Sequence, residues 1–288
     1  MNKVRLPFYL EKKAAEEKKI KILVFSGSSR NAQSCAGQDG KTLSLAKLAI
    51  ESLPQDVDAE LINLAIDGEY GNVQPCKGCV STAGGYHCHF PCSCYSKANK
   101  ESDIKDLMYE KSIYKKLQEC DGFIVYTPIY WYSVSTPVKM MFDRLVCASA
   151  TLPAEFAMKE LGKDPKKTIA AYEEGIYDDK LKNWLEGKYA AFFIHGDDGA
   201  DDLKRISAPK SFNKEYDKAI NDPDLAIAPL VATCRYSGIF VPDDLIEGVI
   251  IGKGLSYSNS NQKFYADQEE VKEKSKNLIN RLVDHIKK

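Results

Sequence analysis

Residues 123–145, FIVYTPIYWYSVSTPVKMMFDRL, constrain this chain more than any other stretch. The apolar run at 123–126 reads as a strand covered on both faces, and it gives way at Thr127-Pro128 to an aromatic loop, Tyr130-Trp131-Tyr132. A helix is expected from about Ser135-Thr136-Pro137, because proline suits a first helical turn and apolar residues then recur at helical spacing. A buried strand that runs through a loop straight into a helix belongs to an open α/β sheet, and such sheets bind ligands at the carboxyl ends of their strands. Clustered rings in that loop suit a flat partner, or else a core or subunit contact.

The rest of the chain repeats the alternation. Strands are expected at 21–26, 59–64, 122–127 and 189–194, with the last strand at 237–241 or 245–251. Helices are expected at about 42–53, before Cys120, from residue 201 onward, and at 265–286. Strands alternating with helices imply a doubly wound, parallel, five-stranded sheet with helices on both faces. Residues 1–19 read as a charged helical extension and 20–288 as one domain. Two segments exceed ordinary α/β connections of roughly 2–6 residues. One is the cysteine-rich stretch at about 68–102, and the other is a helical insertion at about 149–187.

The first strand leads into Ser26-Gly27-Ser28-Ser29-Arg30-Asn31, and a helix opens after Gly40-Lys41-Thr42. Hydroxyls, amides and a guanidinium at a helix N-terminus suit a phosphate dianion, since unpaired donors and the helix dipole both favour negative charge. The spacing is neither a Walker A loop nor Gly-x-Gly-x-x-Gly. The fourth strand ends near His195-Gly196-Asp197, where glycine lets backbone approach a ligand closely. His195 reads equally as a ligand donor or as a histidine with a structural hydrogen bond.

The order Thr-Pro-Ile-Tyr-Trp, Ser-Val-Ser, Pro-Val-Lys, Phe-Asp-Arg in the first segment, with the Gly-Ser-x-Arg-type start at 27–30, resembles the NADPH-dependent FMN reductases of the flavodoxin-like superfamily. The resemblance implies a flavodoxin-like fold and a bound FMN. Its phosphate would lie on Ser26, Ser28, Ser29, Arg30 and Thr42, and its ring would be framed by Thr127, Pro128, Ile129, Tyr130, Trp131, Tyr132, Ser133 and Val134. The pocket would be completed by His195, Gly196 and Asp197. It further implies NAD(P)H as co-substrate, a small-molecule electron acceptor, and a homodimer or homotetramer. The chemistry in that family is the cofactor's, so no catalytic side chain is expected. A carrier flavoprotein without turnover is the alternative.

Five of nine cysteines, Cys76, Cys79, Cys88, Cys92 and Cys94, fall within 75–95 beside His87 and His89. A Cys-x2-Cys turn clamps one corner of a zinc or iron–sulfur site, so Cys76, Cys79, Cys92 and Cys94 are the candidate ligands; packing or redox thiols are the competing reading. The position resembles the cysteine loop of the iron–sulfur flavoproteins. A net charge of -1 gives no field for nucleic acid, and no apolar run reaches membrane-span length. The default expectation is therefore a cytoplasmic protein.

Overall fold

The structure is a computed structural model and describes residues 19–31, 34, 39–66, 70–78, 89–90, 92, 94–95, 104–130, 133–149, 151–153, 159, 170, 174–197, 223–251 and 269–288. Five parallel strands form the sheet: β1 (Ile20–Ser26), β2 (Val57–Asn63), β3 (Gly122–Tyr130), β4 (Tyr189–Asp197) and β5 (Ile246–Ile251). Their spatial order is β2-β1-β3-β4-β5, the flavodoxin-like doubly wound order. A sixth strand of two residues, Ser133–Val134, folds back antiparallel on the end of β3.

Period-two alternation assigns the two faces. Leu23, Phe25, Phe123, Val125, Phe192 and Ile194 point into one core, and Ile22, Val24, Ile124, Tyr126, Ala191 and Phe193 into the other. The first core is covered by α2 (Ile113–Glu119), α3 (Thr136–Leu145) and α4 (Pro223–Tyr236). The second is covered by α1 (Lys41–Glu51) and α5 (Glu269–Lys287). Helix α1 buries Thr42, Leu45, Ala46 and Ala49, a single stripe at i, i+3, i+4 and i+7. Helix α5 carries Glu269 and Glu270 in its first turn and His285 and Lys287 in its last, matching the helix dipole. The two helices meet at Ser275, whose hydroxyl donates to the Leu45 carbonyl at 3.1 Å and lies 3.2 Å from the Tyr126 hydroxyl.

Several boundaries differ from the sequence reading. Strand β3 passes through Thr127 and Pro128 to Tyr130, and β4 continues through His195 to Asp197, with Pro128 opposite His195. Proline is tolerated there because β1 has already ended at the Ser26–Tyr126 pair, so no ladder on that side needs its missing N–H. The last strand is β5, whereas at 237–241 only Phe240 bridges, to Tyr189, before Pro242 interrupts pairing. Helix α4 starts later than the helix expected from 201, most of whose first part lies outside the described residues; of the expected helical insertion, 174–177 form turns and Asp178–Lys180 a single 3-10 turn, while most of 154–173 lies outside the described residues. No helix among those described is long and apolar enough to cross a membrane.

Candidate functional site

The order in which strands are added to the sheet reverses between β1 and β3, which run parallel. β1 is followed by its outer neighbour β2, while β3 is followed by β4 on the opposite side, which leaves a crevice above their carboxyl ends. Strand β3 overhangs β1 by Thr127–Tyr130, so the loop leaving β1 runs along the flank of β3. Gly27 makes this approach possible. Its N–H donates to the Tyr126 carbonyl at 2.7 Å, and a Cβ there would stand 2.2 Å from Val138 Cγ2 and 2.9 Å from that carbonyl.

The loop then turns on itself. Ser28 Oγ accepts the Arg30 N–H at 3.2 Å and lies 3.3 Å from the Tyr130 hydroxyl. The exposed Arg30 guanidinium donates to the Ser34 carbonyl at 3.0 Å, and Ser29 holds the strand-β2 exit by accepting the Ile66 N–H at 3.1 Å. Helix α1 begins after Gly40, which has no side chain to cap it. Ser26 Oγ is fully buried and has no hydrogen-bond partner among the described residues. A buried hydroxyl without a partner costs about 1–3 kcal/mol, so this one marks a place where an acceptor belongs.

The aromatic loop is a hairpin. Ile129 pairs with Val134 and Tyr130 with Ser133; Trp131 and Tyr132 lie outside the described residues. Its base is fixed from within the protein. The buried Thr127 hydroxyl donates to the Pro128 carbonyl at 3.1 Å and accepts the Ser135 N–H at 3.3 Å, while Ser135 Oγ donates to the Gly27 carbonyl. One residue, Ser135, therefore ties the phosphate-type loop to the aromatic hairpin at the start of α3.

His195 is the third contributor. Strand parity sends it to the same face as Ala191 and Phe193, the face covered by α1, and its Nε2 lies 2.9 Å from Thr42 Oγ1. Both are buried, at 6% and 2% exposure. Burial, together with the nearby Lys41 charge, drops the imidazole pKa to about 3, so the ring is neutral at ordinary pH. Gly196 passes close to the hairpin, where a Cβ would meet Ile129 Cδ1 at 3.2 Å. The backbone of Asp197 closes β4.

In the last turn of α3 sits one member of an ion pair that sequence reasoning missed. Arg144 on α3 and Asp106 are 1% and 0% exposed, joined by bonds of 2.8 and 3.1 Å. Arg144 also donates to the Tyr114 hydroxyl at 2.9 Å and the Gln74 carbonyl at 3.1 Å, and its guanidinium covers the Tyr95 ring at 4.7 Å. Burial opposes the charge of Arg144, but the bonds to Asp106 outweigh it and push the guanidinium pKa upward. The signal available in sequence was a charged residue in the Phe142–Leu145 part of an amphipathic helix.

Of the four candidate metal ligands, Cys76 is exposed, Cys92 and Cys94 are half-buried, and Cys79 lies outside the described residues. Tyr95 bonds back to the Pro75 carbonyl at 2.8 Å, closing this segment on itself. Among the described residues no three His, Cys, Asp or Glu side chains gather as a metal site; Cys79, His87, Cys88 and the His89 side chain lie outside what is described. Near the end of the insertion, Thr151 bridges to Lys182 and the Trp184 ring stacks on Phe90 at 5.4 Å, so this part lies against the cysteine segment.

Comparison with known proteins locates this arrangement. Residues 20–162 match the family described as NADPH-dependent FMN reductase. An iron-sulfur flavoprotein of Methanocaldococcus jannaschii is 29% identical over 126 residues, 43% of this chain and 51% of that protein. The chain thus spans about half the length of the curated relative it matches. Among solved structures, RosB with a bound 8-demethyl-8-formylriboflavin-5'-phosphate intermediate aligns at a TM-score of 0.47 and 14% identity, covering 93% of this chain and 80% of that one. An azoreductase from Bacillus anthracis str. Sterne aligns at 0.44 and 11% identity, covering 90% and 99%.

Proposed function

We propose that this chain, whose residues 20–162 match the NADPH-dependent FMN reductase family, is an FMN-dependent oxidoreductase. It would take hydride from NADH or NADPH and deliver reducing equivalents to a small-molecule acceptor such as a quinone, a flavin, a nitro or azo compound, or a metal ion. The observation that carries this reading is the buried Ser26 hydroxyl, without a partner among the described residues, at the mouth of the β1 loop. It lies at the foot of a glycine-dependent turn, at the sheet's switch point, where the donors fit a phosphate.

When bound, FMN supplies the hydride chemistry. The chain supplies its place. Ser26, Ser28, Ser29, Arg30 and Thr42 would hold the phosphate, drawing on hydroxyls and a guanidinium that a dianion pairs with strongly. Thr127 to Tyr130 with Ser133 and Val134, and Trp131 and Tyr132 between them in the chain, would frame the ring, while Gly196 admits it close to backbone. The Thr127–Ser135–Gly27 bonds hold hairpin and loop in fixed relation, so ring and phosphate are oriented by one rigid corner. No side chain is asked to move a proton. A homodimer or homotetramer, with residues 149–187 over the acceptor side or in the subunit contact, completes the reading.

The test is direct. The purified protein is expected to carry, or take up, one FMN per chain by absorption titration, and stopped-flow mixing with NADPH or NADH should bleach it on a catalytic timescale. Failure to bind FMN overturns the reading. Binding with reduction by dithionite alone replaces it with the electron-carrier alternative, which the likeness to an iron-sulfur flavoprotein favours. Iron, sulfide and zinc analysis of anaerobically prepared protein decides whether the cysteine segment holds a metal.

A further inference from the structure

The hydrogen bond between His195 and Thr42 joins the carboxyl end of β4 to the first turn of α1, across the top of β1 and β3. A threonine hydroxyl has one proton to give, and a neutral imidazole has one N–H to place. With the N–H on Nε2, the ring donates to Thr42 Oγ1 and the Thr42 proton stays available to a third group. With the N–H on Nδ1, Thr42 donates to the ring, and no proton remains for a ligand. A phosphate at the α1 N-terminus accepts only, so only the first arrangement lets Thr42 serve it.

We propose that His195 is a positioning residue in its Nε2–H form, which holds Thr42 by donating to Oγ1 and thereby turns the Thr42 proton toward the phosphate of the flavin nucleotide. The inference rests on the FMN reading and assigns within it a task that the ring contacts do not need. In this role His195 would act through Thr42, its hydrogen-bond partner, and not on the reacting atoms. Its burial on the α1 face sets Nε2 against Thr42 Oγ1, and its neutrality leaves a single N–H, which in the proposed form sits on Nε2. The histidine therefore acts on the phosphate end of the ligand and has no part in hydride transfer.

The experiment compares FMN and riboflavin binding to apo-protein by fluorescence titration in wild type, His195→Phe, His195→Gln, Thr42→Val and the His195→Phe/Thr42→Val double variant. Loss of one charge-assisted bond corresponds to roughly tenfold in affinity. His195→Phe is expected to weaken FMN by about that factor while leaving riboflavin, which lacks the phosphate, unchanged. Glutamine, which can present an N–H at similar reach, is expected to restore most of the FMN affinity. The double variant is expected to be no weaker than Thr42→Val alone, because the two residues act as one unit. Nitrogen-15 shifts of the histidine ring in unmutated apo-protein are expected to show Nε2 protonated, a readout that needs no variant to fold.

An Nδ1–H ring, equal losses for FMN and riboflavin, or additive effects in the double variant would overturn the proposal while leaving the cofactor reading intact. Wild-type protein that binds no FMN overturns the cofactor reading, and this inference with it.

Discussion

The crevice above β1 and the node around Arg144 are both polar and buried, yet they are built in opposite senses. At the node the charges answer one another: Arg144 meets Asp106 twice, then Tyr114 and Gln74, and Asp106 also accepts the Gln74 N–H at 3.1 Å. In the crevice a hydroxyl is left without a partner among the described residues and a helix starts without a side-chain cap. A polar cluster satisfied from within holds segments together, and one left incomplete is prepared for something from outside. The same chain thus uses α3 twice. Its N-terminus ties the ligand loops through Ser135, and its C-terminus staples residues 74–75, 95 and 106 through Arg144.

The largest test of that contrast is to remove one partner of the node. Arg144→Met leaves Asp106 buried and uncompensated, and should cost about 3–5 kcal/mol in urea unfolding of apo-protein, the range for broken buried pairs. Replacing both, as Arg144→Met with Asp106→Leu, should recover part of that loss. If Arg144→Met alone costs under about 1 kcal/mol, the node is not what holds this region.

Next in size is Gly27→Ala. The added methyl would press on Val138 Cγ2 and on the Tyr126 carbonyl. Side-chain crowding can be relieved but a strand carbonyl cannot move freely, so a loss of about 1–3 kcal/mol is expected. Adding Val138→Ala should restore only the side-chain share. Full rescue would mean that the backbone contact has room to give.

How far these features were legible in the sequence follows from their physics. The apolar runs at 22–25 and 123–126 and the helical stripe of α1 made two strands and a helix legible, since both are local patterns, while the structure alone shows which residues face which core. Strand parity then places His195 on the α1 face, but only the fold brings it to Thr42, which is 153 positions away in the chain. The Arg144–Asp106 pair, separated by 38 positions, is of the same kind: no local pattern announces a partner across a core. Strand ends were misjudged at Pro128 and His195 because the sequence does not say where the neighbouring β1 stops, and it is that ending which admits proline.

His195 offers a smaller, pH-dependent test. Its ring takes a proton near pH 6.5 in a model peptide and only at about 3 in the folded protein. Between those values the unfolded chain binds more protons than the native one, so stability falls as pH drops through this window. The contribution of this residue is complete above pH 6.5 and amounts to a loss of about 1.4 kcal/mol by roughly pH 5.5. His195→Gln should flatten that part of the stability profile relative to wild type. Parallel profiles would show that the ring is charged in the native state.

The smallest expected effect separates the two regions most cleanly, because it changes binding without changing the fold. Ser26→Ala deletes the hydroxyl that has no partner among the described residues. If the hydroxyl awaits a ligand, apo-protein should lose no stability in urea and should gain slightly, since a desolvated donor disappears. FMN affinity should fall by about 0.5–1.5 kcal/mol, the worth of one hydrogen bond. Alanine at Arg144, Asp106 or Tyr114 should do the reverse, lowering stability while leaving the affinity of the folded fraction near that of wild type. A Ser26→Ala protein that is destabilised yet binds FMN normally would place this hydroxyl with the structural groups, and the contrast between the two regions would fail at the residue on which it most depends.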